Sequence, residues 1–276
     1  MQDITVAAIN FRAEIGNIPA NLAKIQYWAE TMHAQGATIV CFPEMCLSGY
    51  DRTPAIASWA ITAPGPEIDS LHRLAARLNI TLLVGFAEVD PQSHFFITQA
   101  VVTPAGLAGL YRKIHLNRPE QEVFHAGQNQ GVVQLPGCTA GLQLCYDAHF
   151  PELSTLQALA GAEVIFVASA SPRDDPFTKR ERMLRYLPAR AYDNGCYVAA
   201  CNLVGLGARG QTFAGVALVL NPKGEILAQA VGWEEGAAIA RLDAAEIDRL
   251  RRTQMGYFLA HRRPELYGNL CQPPTG

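Results

Sequence analysis

No apolar run in this sequence is long enough to cross a bilayer: the longest, such as residues 213–220, are strand-length, so no membrane span is expected. Met1 is followed by Gln2, Asp3 and Ile4, without the basic and apolar regions of a signal peptide, and none is expected. Positive charge is not in excess either. Lys and Arg total 22 against 25 Asp and Glu, a net charge of −3, which argues against a protein that grips a nucleic-acid backbone. Cys-x-x-Cys pairs are missing. The seven cysteines, at positions 41, 46, 138, 145, 196, 201 and 271, cannot all pair with one another, so neither a zinc cage nor a dithiol motif is suggested. Reduced thiols in the cytoplasm are the expectation. His115, His125 and His149 lack ligand spacing, and no metal or other cofactor is expected. Repeats, low-complexity tracts and Ser/Gly linkers are also absent.

What is present is apolar. Hydrophobic residues make up 49% of the chain and charged ones 17%, which excludes disorder. At about 150 residues per domain, 276 residues could hold two, but α/β chains of this length often form one. The chain is read as a single domain over 1–276. Strands are expected over 4–10, 37–42, 80–89, 139–144, 163–168, 196–201 and 237–242, most on continuous apolar runs. Hairpins are expected at 95–102 with 107–111 and at 213–220 with 225–230, the second around Asn221-Pro-Lys-Gly224. Helices are expected over 17–35, 66–79, 152–160 and 244–252, with one long helix over 177–194 and an irregular tail from Gly256. This pattern describes an α/β fold with mixed sheet buried on both faces.

Three places set a reactive group just past a strand, where a rigid sheet presents side chains to a crevice. Glu44 follows the strand ATIVCF, Lys113 ends a hairpin strand, and Cys145 lies between a strand and the helix opened by Pro151-Glu152. A carboxylate, an ammonium and a thiol are the parts of an amide hydrolase. A free thiol is only a few per cent thiolate at neutral pH and needs a base or cation beside it. Taken singly, each residue has a commonplace reading as a solvated loop charge or a core filler. Spacing alone leaves open whether the three converge.

The segments FPEMCLSGY (42–50), YRKIHL (111–116), GLQLCYDAHFPEL (141–153) and ARAYDNGCYVAACN (189–202) resemble the nitrilase superfamily of carbon–nitrogen hydrolases, in the family's order. GAEVIFVAS (161–169) and NPKGEILA (221–228) fit as well, so the resemblance spans nearly the whole chain. It implies an α-β-β-α sandwich with Glu44 as general base, Lys113 as oxyanion stabiliser and Cys145 as nucleophile. The backbone N–H of Tyr146 would be a second oxyanion donor. A further family glutamate precedes an aromatic-x-x-Gly turn; in Glu120-Gln-Glu122-Val-Phe124-His-Ala-Gly127 it is assigned to Glu122, with Glu120 the competitor, read as an exposed loop acid. Tyr50, Tyr146, His149, Ala170 and Ser171 occupy family positions near the bound acyl group, where ordinary packing is an equal reading.

The implied activity is cleavage of the C–N bond of a small carboxamide or N-carbamoyl compound through a cysteine thioester. A true nitrilase, acyl transfer to an amine, and a catalytically silent scaffold of the same fold are the alternatives. Tyr146-Asp147 after the nucleophile is similar to amidases and carbamoylases, where true nitrilases usually carry Trp-Glu. The arginine that acid-recognising relatives often carry three or four residues after the cysteine is replaced by Ala148 and His149; Arg173 or Arg190 are the candidate substitutes. Arg262-Arg-Pro-Glu-Leu-Tyr267 resembles a tail that packs on a partner subunit, which implies a homodimer or larger homo-oligomer with residues 256–276 at the contact. Gly205-Leu-Gly207-Ala-Arg-Gly210 matches a dinucleotide fingerprint in letters, but a strand-like run rather than a helix follows it, so it is read as a loop. Cys46, near Glu44, is read as packing.

Overall fold

The computed structural model describes residues 1–172, 175–253 and 255–272. In chain order the first half comprises β1 (Ile4–Asn10), α1 (Ile18–Ala34), β2 (Ile39–Cys41), α2 (Pro66–Leu78), β3 (Thr81–Val89), β4 (Phe95–Thr103), β5 (Gly106–Arg112) and the single turn α3 (Arg118–Gln121). The second half comprises β6 (Val132–Leu135), β7 (Cys138–Leu144), α4 (Pro151–Leu159), β8 (Val164–Ser169), α5 (Pro176–Leu184), α6 (Leu187–Asn194) and β9 (Tyr197–Asn202). It continues through β10 (Gly205–Leu206), β11 (Thr212–Phe213), β12 (Gly215–Leu220), β13 (Ile226–Gly232), β14 (Gly236–Leu242) and α7 (Ala244–Arg252).

Two six-stranded sheets have the orders β14-β1-β2-β3-β4-β5 and β13-β12-β9-β8-β7-β6. Each has three parallel strands at its centre, β1-β2-β3 in one and β7-β8-β9 in the other, flanked by antiparallel neighbours. Parallel neighbours need crossovers, which α1 and α2 supply on one sheet and α4, α5 and α6 on the other. The inner faces meet in one apolar cluster that mixes Ile9, Phe42 and Val84 with Phe166, Ala199 and Val219. A second cluster, including Val167, Val198 and Leu218, joins the second sheet to Met183, Leu187 and Ala191 of its helices. The result is the expected α-β-β-α sandwich.

The helix expected over 177–194 is broken in two, because Tyr186 leaves helical geometry and Pro188 stands in the first turn of α6. Proline lacks the N–H and its ring would strike the carbonyl four residues earlier. β6 was not anticipated; its pattern is short and half-buried, and it pairs with β7 only at the sheet edge. The GxGxxG segment runs into the β10–β11 hairpin, as the loop reading expects.

The parallel register sets the site. Leu144 pairs with Ala168, so β7 and β8 end side by side, and the Ala170 N–H just past β8 bonds Glu44 in the loop after β2, which brings the carboxyl ends of the two sheets together. Glu44 lies three residues past β2, Cys145 immediately past β7 and Ala170 immediately past β8; Lys113 immediately follows β5.

Candidate active site

Lys113 has no solvent exposure, an expensive position for an ammonium unless it is paired. Its Nζ donates to Glu44 Oε1 and to Glu120 Oε1, each at 2.8 Å. Neither carboxylate is free to move. Glu44 Oε2 accepts from the Ala170 N–H at 2.9 Å, which ties the β2 loop of one sheet to the end of β8 in the other. Glu120 Oε1 also accepts from the Tyr50 hydroxyl at 2.9 Å, and its Oε2 accepts from the Asn117 N–H at 3.0 Å.

Burial is the main cause that raises the Glu44 carboxyl, to about 7; Lys113 opposes it and Glu120 adds to it. Lys113 is held well above its ordinary value because the pull of Glu44 and Glu120 exceeds the burial that works against its charge. Burial pushes the Cys145 thiol up to about 12, with Glu44 raising it further and Lys113 countering. The site therefore rests with a protonated thiol, a fixed ammonium, and a carboxyl poised to take or give a proton near neutrality.

Cys145 has φ of +46°, an uncommon conformation for a residue with a side chain, and begins a 3-10 turn over Cys145–His149. Asp147, fully buried, stabilises that elbow. Its Oδ2 accepts from the Leu144 N–H (3.0 Å) and the Tyr111 hydroxyl (2.7 Å). Its Oδ1 accepts from the His115 N–H (2.9 Å) and lies 2.8 Å from His115 Nδ1. Tyr111 and His115 flank Lys113, so one carboxylate couples the nucleophile turn to the segment carrying the ammonium. The Tyr146 N–H falls in the first turn of the 3-10 helix, where an amide has no partner within the helix.

Glu44 is positioned by a comparable device. Met45 beside it has φ of +52°, and the loop lies against Gly85 of β3 so closely that a Cβ there would stand 2.5 Å from Pro43 O and 2.6 Å from Met45 N. Only glycine lets the strand and the loop approach so nearly.

A cleft of about 320 Å³ opens onto Cys145. Tyr50, Tyr146, His149, Ala170 and Ser171, all named from the sequence, line it. Burial, with Arg190, Arg182 and Lys179 nearby, holds the His149 imidazole below its ordinary value, toward the neutral form. Ser171 Oγ accepts from Lys179 Nζ at 2.5 Å and from Arg182 Nη2 at 3.4 Å. Among the described residues no group of three or more His, Cys, Asp or Glu side chains is placed to hold a metal.

The chain as a whole is similar to known proteins in sequence and in fold. Residues 5–252 match the carbon–nitrogen hydrolase family. The chain belongs to that family. It is a member of the nitrilase superfamily and a hydrolase of carbon–nitrogen bonds outside peptides. An (R)-stereoselective amidase from a Pseudomonas species is 33% identical over 239 residues, 86% of this chain and 84% of that one. The N-carbamoylputrescine amidase of Solanum lycopersicum is 29% identical over 96% of this chain and 93% of its own. Among solved structures, the nitrilase-superfamily amidase of Nesterenkonia AN1 superposes with a TM-score of 0.81 at 26% identity, over 97% of both chains. A variant of that amidase carries the acetamide moiety of fluoroacetamide on its active-site cysteine.

In this carbon–nitrogen hydrolase the assignment of Glu122 is overturned. Glu122 is exposed at the end of α3, whereas Glu120, 1% exposed, bonds Lys113. The reason is a capping box: Asn117 Oδ1 accepts from the Glu120 N–H at 3.2 Å while Glu120 reaches back to the Asn117 N–H. That turns Glu120 toward the cleft, while Glu122 stays exposed. The signature Asn-x-x-Glu is legible in the sequence and could have separated the two. Arg190 does not substitute for the missing arginine clamp, because its Nε donates to Ala148 O (3.0 Å) and its Nη2 to His149 O (3.4 Å), and it does not line the cleft. Arg173 lies outside the described residues. Arg52, Asn117, Pro119, Pro172 and Arg182 line the cleft without having been singled out in the sequence. Cys46 is fully buried with its Sγ 3.5 Å from Gly85 O, as a packing residue would be.

Proposed function

We propose that Cys145, Glu44 and Lys113 hydrolyse the C–N bond of a small carboxamide or N-carbamoyl compound through a thioester. The observation that carries this reading is Lys113 held by Glu44 and Glu120 at 2.8 Å each, in a site that opens beside Cys145. Glu44 takes the thiol proton as sulfur bonds to the carbonyl carbon, and the C=O electron pair moves onto oxygen. Lys113 and the Tyr146 N–H face that oxyanion; losing one such donor typically costs about 3–4 kcal/mol of barrier. The tetrahedral centre collapses, Glu44 gives its proton to the departing nitrogen, and ammonia or an amine leaves. Glu44 then takes a proton from water as it attacks the thioester, and the acid is released with the thiol restored. Tyr50, His149, Ala170 and Ser171 contact the acyl group in this reading.

The test is ammonia release from a panel of amides, N-carbamoyl compounds and nitriles, with the trapped adduct mapped by mass spectrometry. Amide turnover with nitriles nearly untouched, and an acyl mass on Cys145, is the expected result. Nitriles as the preferred substrates would move the assignment to a true nitrilase; no turnover would leave a silent scaffold. A second expectation concerns the corrected glutamate. Glu120→Gln removes one of two charges from a buried ammonium, which costs about 3–5 kcal/mol of stability, and the shift of Lys113 lowers kcat/KM on the order of 10²-fold. Glu122→Gln, in solvent, changes neither by more than about twofold, within the range of surface substitutions. Thermal midpoints and ammonia kinetics of the two variants check this.

We further read residues 1–276 as one hydrolase unit that assembles as a homo-oligomer. Exposed Tyr192 of α6 and Phe258 of the tail, with ring centroids 5.2 Å apart, support a contact there. A cytoplasmic location is supported by the six described cysteines, all unpaired thiols. No helix among the described residues is long and apolar enough to cross a membrane.

A further inference from the structure

Arg52 stands two residues past Tyr50 on the wall of the cleft that opens at Cys145. Its Nε is buried and has no hydrogen-bond partner, and no ion pair engages its guanidinium among the described residues. The acids nearest in sequence and in the cleft are already committed. Asp51 accepts from the Thr53 N–H and the Thr53 hydroxyl, both at 3.0 Å. Glu120 is used by Lys113, Tyr50 and Asn117. The segment that carries Arg52 is itself built: Thr53 Oγ1 accepts from the Ala55 N–H at 3.3 Å and caps a 3-10 turn over Pro54–Ser58.

A guanidinium cannot shed its charge at any working pH, and its planar fork matches a carboxylate with two parallel bonds. The other cations of this region are differently placed: Lys179 and Arg182 bond Ser171, and Arg190 bonds backbone carbonyls. We propose that Arg52 is a specificity residue that receives a carboxylate of the substrate, so that the enzyme favours anionic over neutral or cationic carboxamides and carbamoyl compounds. The proposal rests on the amide-hydrolase reading above and adds the substrate class. The carboxylate can sit on the acyl side, as in the monoamide of a diacid, or on the departing amine, as in an N-carbamoyl amino acid. Arg52 would hold either by the same fork.

The test is a ratio of kcat/KM values for matched pairs, measured on the full chain. For the acyl side the pair is glutaramate and valeramide; for the amine side it is N-carbamoyl-β-alanine and N-carbamoylputrescine. In the wild type the anionic member of at least one pair is favoured. In Arg52→Gln that ratio falls about tenfold to a hundredfold, mainly through KM, because a charge-assisted bond to the bound substrate is lost. Arg52→Lys restores part of it, having the charge without the fork. The pair that responds says which side bears the carboxylate. Ratios unchanged in both pairs, while valeramide is hydrolysed by wild type and variant alike, overturn the assignment of Arg52 and leave the hydrolase reading standing. An equal loss on both members of a pair assigns Arg52 to shaping the loop and also overturns it. Ammonia from none of the four compounds with the wild type breaks the hydrolase reading itself.

Discussion

Cys145→Ala reduces ammonia release from amides to background, a loss of at least about 10⁴-fold, with the fold intact. Lys113, Glu44 and the Tyr146 N–H remain in the variant and can still polarise a carbonyl, but no atom is left to form the thioester. Burial pushes the Cys145 thiol up to about 12, so at rest it holds its proton and needs a base beside it. Glu44 is the group that receives that proton in this reading. The alanine keeps the elbow because Asp147, not the sulfur, holds the turn through Leu144, Tyr111 and His115. Cys46→Ala is the control, since the Cys46 thiol is driven up further still by burial and is sealed against Gly85. Kinetics of the two variants and the mass of the acylated peptide decide the matter. Full turnover in Cys145→Ala, or an acyl group found on Cys46, overturns the nucleophile assignment.

Much of the fold is written in local pattern. The apolar run at 163–168 reads as a strand because β8 is buried on both faces, and its contrast with the amphipathic stretch at 66–79 needs no knowledge of neighbours. Asn221-Pro-Lys-Gly224 closes a hairpin by its own turn chemistry, with φ of +81° at the glycine. Where the reading failed, the deciding partner was distant or the signal short. β6 has four residues and exists through β7, and the break between α5 and α6 turns on one proline within a helical pattern.

The site divides in the same way. Glu44, Lys113 and Cys145 are visible as reactive types after strands, but the strands that carry them belong to two sheets whose stacking no local pattern encodes. Glu44 and Lys113 are 69 residues apart in sequence and 2.8 Å apart in space. The choice between Glu120 and Glu122 was within reach, because a capping box is local. Arg52 was not: that its Nε is buried without a partner depends on the folded surroundings and not on local pattern.

Glu44→Gln separates turnover from thiol reactivity, in opposite directions. Glutamine keeps the shape and an oxygen for Lys113 but cannot receive the Cys145 proton, so kcat/KM falls by about 10²–10⁴-fold. In the wild type the carboxyl, raised to about 7, must be ionised to act; kcat/KM therefore declines as pH falls below about 7, and the variant lacks that limb. The stability sign is the reverse. Below the ordinary value of 4.5 both folded and unfolded chains hold the proton, and between 4.5 and about 7 only the folded chain does. The Glu44 contribution to stability is thus fully present at acid pH and is lost as pH rises through about 7, where catalysis begins. The site gives up stability across the window in which it becomes a base. Removing the Glu44 charge also relieves one of the influences that raise the Cys145 thiol, while Lys113 stays protonated. Alkylation of Cys145 by iodoacetamide therefore sets in at lower pH in Glu44→Gln than in wild type, even as ammonia release collapses. A variant that alkylates later than wild type, or keeps the acid limb near pH 7, would show that Glu44 is not the group exchanging protons with the sulfur.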